Sequence, residues 1–295
     1  MTGSFDAAAR AIVDGDVSTL RALLDREPDL ARARSVDGFD ATLLHFVAAN
    51  GVPDELQRSP ANAPEVAAVL LGAGADPDAL CGAYGGGSNQ TPLCLLVSSW
   101  PPYERGVQGA LVRTLVDGGA TVDGVEGDGA PLTTALVFGY TSAAEALVEA
   151  GARTEGLFHA AGVGDARALE RAFVAPGQLA PDALGPYAPV VEKALDLTDD
   201  AALVQEALHF AITHERLEAA EMLLGHGASV DGRTTGHHCE LPLVQAVFVQ
   251  STRSALWLLD RGADPDLVDG KRGASAREHV ARAGPPDVAA RLTGL

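Results

Sequence analysis

Five copies of one short ending constrain this chain more than any other feature. They read LLGAGADPD at 70–78, LVDGGATVD at 115–123, LVEAGARTE at 147–155, LLGHGASVD at 223–231 and LLDRGADPD at 258–266. Their central glycines, Gly74, Gly119, Gly151, Gly227 and Gly262, are separated by 45, 32, 76 and 35 residues. If the interval of 76 holds two units, the period falls in the range of stacked helical-pair repeats. Each copy closes an apolar stripe at helical spacing, as Leu217, Ala220 and Leu224 do before Gly227. A glycine at that point ends a helix, because it takes a positive φ without a Cβ clash and closes the last turn. The pair Gly72 and Gly74 also has the look of a phosphate loop. Such a loop follows a strand, opens a helix and needs a third glycine, so these glycines serve shape.

A second signal stands upstream of each ending: TLLHFVAANG at 42–51, TPLCLLVSS at 91–99, APLTTALVFG at 130–139, GLFHAAGVGD at 156–165, ALHFAITHER at 207–216 and LPLVQAVFVQ at 241–250. A proline or small residue opens a short helix, since the first turn has no use for the missing N–H. Leu followed by Ala or Val three to four residues on gives a buried face. Taken together, Thr91-Pro92-Leu93, Leu44-His45 with Ala48-Ala49, Phe158-His159-Ala160-Ala161 and the Leu-Leu-x-x-Gly-Ala-Asp endings resemble the ankyrin repeat family over most of residues 5–285. The resemblance implies an all-α fold, an α-solenoid of helix–turn–helix repeats joined by short finger loops or hairpins. It also implies that the TPLH-type histidines, His45 and His159 with His209 close to that position, bond backbone between adjacent loops.

The domain reading is a capping repeat at 1–36, an N-terminal half at 37–173, a proline-rich interruption and helical linker at 174–202, and further repeats with a cap at 203–295. Two features depart from the family pattern. Too few residues lie between Gly151 and Leu157 for a full finger, and Pro176, Pro181, Pro186 and Pro189 break any helix there. One continuous stack with a kink is expected, with helical spacing resuming from Val190.

Composition narrows the function classes. The chain of 295 residues carries 40 acidic against 21 basic residues, a net charge of −19. That sign repels phosphate backbones and acidic membrane surfaces, so neither nucleic acid nor membrane is an expected partner. No run of apolar residues reaches membrane-spanning length, and MTGSFDAAAR lacks a leader pattern. Three scattered cysteines, Cys81, Cys94 and Cys239, argue against a disulfide framework and for a reducing, cytoplasmic setting. Two lysines among many arginines, with heavy Ala and Gly usage, fit a GC-rich bacterial genome.

No motif points to catalysis, a cofactor or a designed metal site. HHCE at 237–240 offers zinc-type ligands but lacks a spaced companion, and it reads as the surface of a finger tip. DGVEGDG at 123–129 has Val125 where a calcium loop needs its second ligand. GAYGGGSNQ at 82–90 is an extended finger without the Lys-Ser/Thr of a phosphate loop. The glycosylation triplet at Asn89-Gln90-Thr91 has no secretion signal to go with it.

The expected function is therefore a non-enzymatic protein–protein interaction module, a monomer that docks its partner on fingers and the exposed side of first helices. A basic partner suits the charge. The candidate contact residues are Phe39, Tyr84, Asn89, Trp100, Tyr103, Glu126, Asp128, Arg233, His237 and His238. Two alternatives stand beside this reading. One is an enzyme or small-ligand site in the irregular 150–200 region, and the other is an immunity-type inhibitor of a basic effector.

Overall fold

The computed structural model describes residues 2–186 and 198–293. The chain divides into two compact units, Met1–Arg153 and Thr154–Leu295. In the first unit α1 (Thr2–Asp14), α3 (Leu43–Ala48), α5 (Pro92–Leu96) and α8 (Ala130–Val137) form one layer. The second layer holds α2 (Val17–Arg26), α4 (Ala63–Gly72), α7 (Gln108–Asp117) and α9 (Thr141–Glu149). A further short helix, α6 (Trp100–Glu104), stands in the insertion between α5 and α7. The second unit repeats the plan. Its inner layer is α10 (Leu157–Val163), α12 (Asp200–Thr213), α14 (Pro242–Phe248) and α16 (Ala276–Ala283). Its outer helices are α11 (Ala166–Arg171), α13 (Leu217–Gly225), α15 (Thr252–Asp260) and α17 (Pro286–Thr293). Both units are thus built from ankyrin-type helix pairs, and among the described residues strands are confined to two short hairpins.

The five recurring endings work as the spacing requires. All five central glycines have φ between 85° and 102°. The alanine after each sends its N–H back to the leucine five residues earlier, as in Ala75 to Leu70 and Ala228 to Leu223, both 3.0 Å. This is the bond that ties off a helix whose last carbonyls would otherwise be orphaned. The closing aspartate has a separate task. Asp78 accepts the Thr121 N–H at 2.9 Å, Asp123 the Arg153 N–H at 2.9 Å, and Asp231 the Asp264 N–H at 3.0 Å. In every case the donor lies two residues beyond the next ending's glycine. Each carboxylate therefore staples its own turn to the next one in the stack.

Some first helices open on side-chain caps. The Thr91 hydroxyl accepts the Cys94 N–H, and Pro92 fills the first helical position. Thr91→Ala is expected to lower the stability of the first unit by about 1 kcal/mol, because a buried N–H loses its acceptor. Chemical denaturation followed by Trp100 fluorescence in a Trp257→Phe background measures it.

The proline-rich stretch forms a hairpin. Strand β1 (Phe173–Ala175) pairs antiparallel with β2 (Gln178–Leu179) around Pro176 and Gly177. Proline at the first corner and a glycine at φ 71° at the second suit a type II turn. The chain then passes beneath the start of α10, where Leu157 donates its N–H to the Ala183 carbonyl at 2.6 Å. That pairing supplies what the short 151–157 connection cannot. Residues 187–197, including Pro189 and the helical spacing expected from Val190, lie outside the described residues. A second hairpin, β3 (Val268–Asp269) with β4 (Ala274–Ser275), forms the finger before α16.

Candidate docking surfaces

The expectation that first helices offer an exposed side needs correction. Every residue of α3, α5 and α8 is buried, as are Leu157–Gly162 of α10, Leu203–Thr213 of α12 and Pro242–Val247 of α14. Most of their residues are apolar, and the polar ones among them, such as His45, His159 and Glu206, are buried with them, so these helices serve as core. Exposed side chains lie instead on the end helices α1 and α16, on the fingers, on the outer helices and at the turns between paired helices.

One such turn region carries an exposed aromatic row. Pro101 and Pro102 start α6 and set Trp100 and Tyr103 on one face. Trp100 is 57% exposed and Tyr103 40%. Their ring centroids lie 5.4 Å apart, and Tyr103 stacks on Tyr140 at 4.4 Å. Tyr140 in turn lies 6.0 Å from Phe138, which is 42% exposed at the end of α8. Beside this row runs an open cleft of about 760 Å³, walled by Pro60, Trp100, Pro101 and Arg105. Arg105 is fixed by its Nε donating to the Ser59 carbonyl at 3.1 Å. Stacking holds these rings in place, so little side-chain entropy remains to be lost on contact.

The finger candidates fall into different environments. Phe39 is half-buried, and its carbonyl accepts the Gly82 N–H at 2.6 Å. Tyr84 takes a left-handed backbone, φ 53°, and its largely exposed ring reaches Asn50, donating its hydroxyl to Oδ1 at 2.6 Å. Asn50 also donates to the Ser98 hydroxyl at 2.9 Å, two residues before Trp100. Asn89 is half-buried, while Glu126 is exposed. Asp128 is half-buried and accepts the Ala130 N–H at the start of α8. Arg233 is exposed, paired with Glu240 at 2.5 Å and bonded to the Val268 carbonyl at 2.9 Å. His237 is exposed.

His238 is the second correction. It is buried, 3% exposed, and its Nδ1 meets Glu206 Oε1 at 2.8 Å. The Thr234 hydroxyl donates to the other oxygen of Glu206, and the Glu206 carboxylate fills the space that a side chain at Gly236 would need. The Lys271 ammonium lies across the same finger, 2.7 Å from both the Gly236 and His238 carbonyls. Burial opposes charge on Glu206, but the charges of His238 and His209 and the bonds from His238 and Thr234 outweigh it. They hold the carboxyl well below its ordinary range. His209, one turn further along α12, is fully buried, and burial lowers its pKa to about 4 against the pull of Glu206. Cys239 is buried too, with Arg272 donating to its sulfur at 3.2 Å. HHCE reads as a finger tip in the sequence because all four residues are polar or small. Only the partner at 206, on another element, turns the second histidine inward.

Among the described residues no three His, Cys, Asp or Glu side chains converge as a metal ion requires, and no helix is long and apolar enough to cross a membrane. Residues 206–235 match the ankyrin repeat family model. With the helix pairs and stapled turns above, the chain is an ankyrin repeat protein. Ankyrin repeats are in general protein–protein interaction modules. No curated protein matches the chain.

Proposed function

We propose that this chain is a protein-recognition module anchored by Trp100 and Tyr103, with its fingers supplying polar contacts. The observation that carries this reading is the exposed aromatic row on α6, held by stacking on Tyr140 and flanked by an open cleft. Exposed tryptophan and tyrosine with fixed geometry are the residue types most enriched among binding hot spots. Phe39, Tyr84, Asn89, Glu126, Asp128, Arg233 and His237 belong to the fingers and act as specificity contacts. His238 acts behind the surface. The net charge of −19 favours a basic partner and speeds its encounter.

The test is affinity capture from native lysate followed by titration of the purified pair. Trp100→Ala and Tyr103→Ala are each expected to weaken binding about 30-fold, the size of a hot-spot loss of about 2 kcal/mol. The association rate should fall as salt rises. Failure to find a saturable protein partner, or a partner indifferent to both substitutions, would count against the reading.

A further inference from the structure

The finger at 232–240 is held by more than backbone. Both oxygens of Glu206 are engaged by that finger, one by the Thr234 hydroxyl and one by His238 Nδ1. The Thr234 hydroxyl also accepts the Gly236 N–H at 3.1 Å, so its one proton is committed to the carboxylate. From the other side Lys271 draws the Gly236 and His238 carbonyls together. One buried negative charge thus sits opposite one ammonium, with the finger between them.

We propose that Glu206, His209 and His238 form a proton-operated latch, in which ionised Glu206 holds the 232–240 finger shut and acid releases that finger while the helices around it stay folded. The geometry gives the reason. A protonated Glu206 loses the charge that makes its bonds to Thr234 and His238 strong, roughly halving each. It must also donate a proton where both neighbours already donate. His209 gives its Nδ1–H to the Gln205 carbonyl at 2.9 Å, so a second proton goes on Nε2 inside the core. That charge is costly where no water reaches it. Lys271 then keeps only Glu240 and Asp269 as counter-charges, and the negative charge on the far side of the finger is gone.

The charged groups facing the latch agree with this sign. From α12 come Glu206 and His209, and from the finger Arg233, His237, Cys239 and Glu240. From the next finger come Asp269, Lys271 and Arg272, while α10 brings His159 and α14 no titratable side chain. Glu240 is tied to Arg233 and to the Gly270 N–H at 3.0 Å. Asp269 is fully buried and accepts the backbone N–H groups of Leu241, Lys271 and Arg272. Both carboxylates therefore have partners of their own when Glu206 is neutralised.

Cys239 reports the latch directly, because it sits in the finger, while Cys81 and Cys94 are buried in the first unit. The full chain is labelled with 4,4′-dithiodipyridine, which reacts in mild acid, and each thiol is followed by peptide mass spectrometry. Between pH 7.5 and pH 2.5, the range in which the low-lying carboxyl of Glu206 begins to take its proton, labelling of Cys239 should rise at least tenfold relative to Cys81 and Cys94, with the helical circular dichroism unchanged. Glu206→Gln should label rapidly at pH 7.5 already. Thr234→Val, a milder change, should move the midpoint to higher pH, because it removes support from the ionised carboxylate. Cys239 keeping step with the other two thiols at every pH overturns the latch, as does an unshifted midpoint in Thr234→Val. The latch is independent of where a partner docks, so its failure leaves the aromatic anchor untouched.

Discussion

Acidification from pH 7 to pH 5 should cost each unit about 2 kcal/mol through one buried histidine, rising to about 3 kcal/mol at pH 4. The histidines are His45 in the first unit and His209 in the second, both fully buried and both lowered by that burial to about 4. The tautomer of His45 shows why a proton is resisted. Its Nδ1 accepts the Thr42 N–H at 3.0 Å, so the ring proton is on Nε2, donated to the Gln90 carbonyl at 3.0 Å. A second proton would have to enter at Nδ1, against a donor. The unfolded imidazole binds its proton from about pH 6.5 downward and the folded one only near 4, so the unfolded state holds more protons across that window and stability falls as the pH is lowered. Below the ordinary carboxyl range Glu206 adds to the loss in the second unit. Its folded carboxyl is held below the unfolded value of about 4.3, so its stabilisation is full above that pH and fades as acid protonates it. Urea unfolding at pH 7, 6 and 5 checks both units separately, since Trp100 lies in the first and Trp257 in the second. In His45→Gln the slope of the first unit's stability against pH should flatten, whatever its absolute stability. An unchanged slope would show that some other group carries the acid sensitivity.

What is legible in the sequence follows the range of the interactions. The Gly-Ala endings are local, because a helix stripe, a stop and a turn residue lie within nine positions, and the positive φ values follow from them. The TPLH-type cap at Thr91 is local as well. The aspartate staple is visible only as a recurring letter, since its partner is about one period away, as Asp78 is from Thr121. Glu206 escapes altogether. In ALVQEALHFAI it reads as the polar side of an amphipathic helix, and nothing within α12 announces that Thr234 and His238 will cover it. Phe138 and Tyr140 are hidden for the converse reason. The apolar run APLTTALVFG reads as one buried stripe, whereas the helix stops at Val137 and leaves the next rings on the turn. The prolines announce a helix break around the 173–179 hairpin. The docking of the segment after it on Gly156 depends instead on a backbone approach that leaves no trace in residue type beyond two glycines.

Those two glycines give the sharpest structural prediction. Gly156 has φ 105°, and a Cβ placed there would stand 2.7 Å from the Leu184 carbonyl carbon and closer still to its oxygen. Gly185, at φ 57°, is in the reciprocal position, with the Glu155 carbonyl oxygen 2.5 Å from its added Cβ. Two backbones pass where only two hydrogens fit, and neither obstacle is a side-chain end that could rotate away. Gly156→Ala therefore combines a disfavoured backbone conformation with a clash against main chain, and it should destabilise the second unit by at least about 3 kcal/mol. The Leu157 to Ala183 hydrogen bond would break first, and α10 would lose the support of the segment beneath it. Gly225→Ala is the matched control. That residue ends α13 with no atom within 4 Å of an added Cβ, and alanine there should be neutral or stabilising by up to about 1 kcal/mol. Trp257 fluorescence in a Trp100→Phe background reports the second unit in both variants. Equal stabilities for Gly156→Ala and Gly225→Ala would mean that the 183–185 segment does not pack on the start of α10, and that the short 151–157 connection stands unaided.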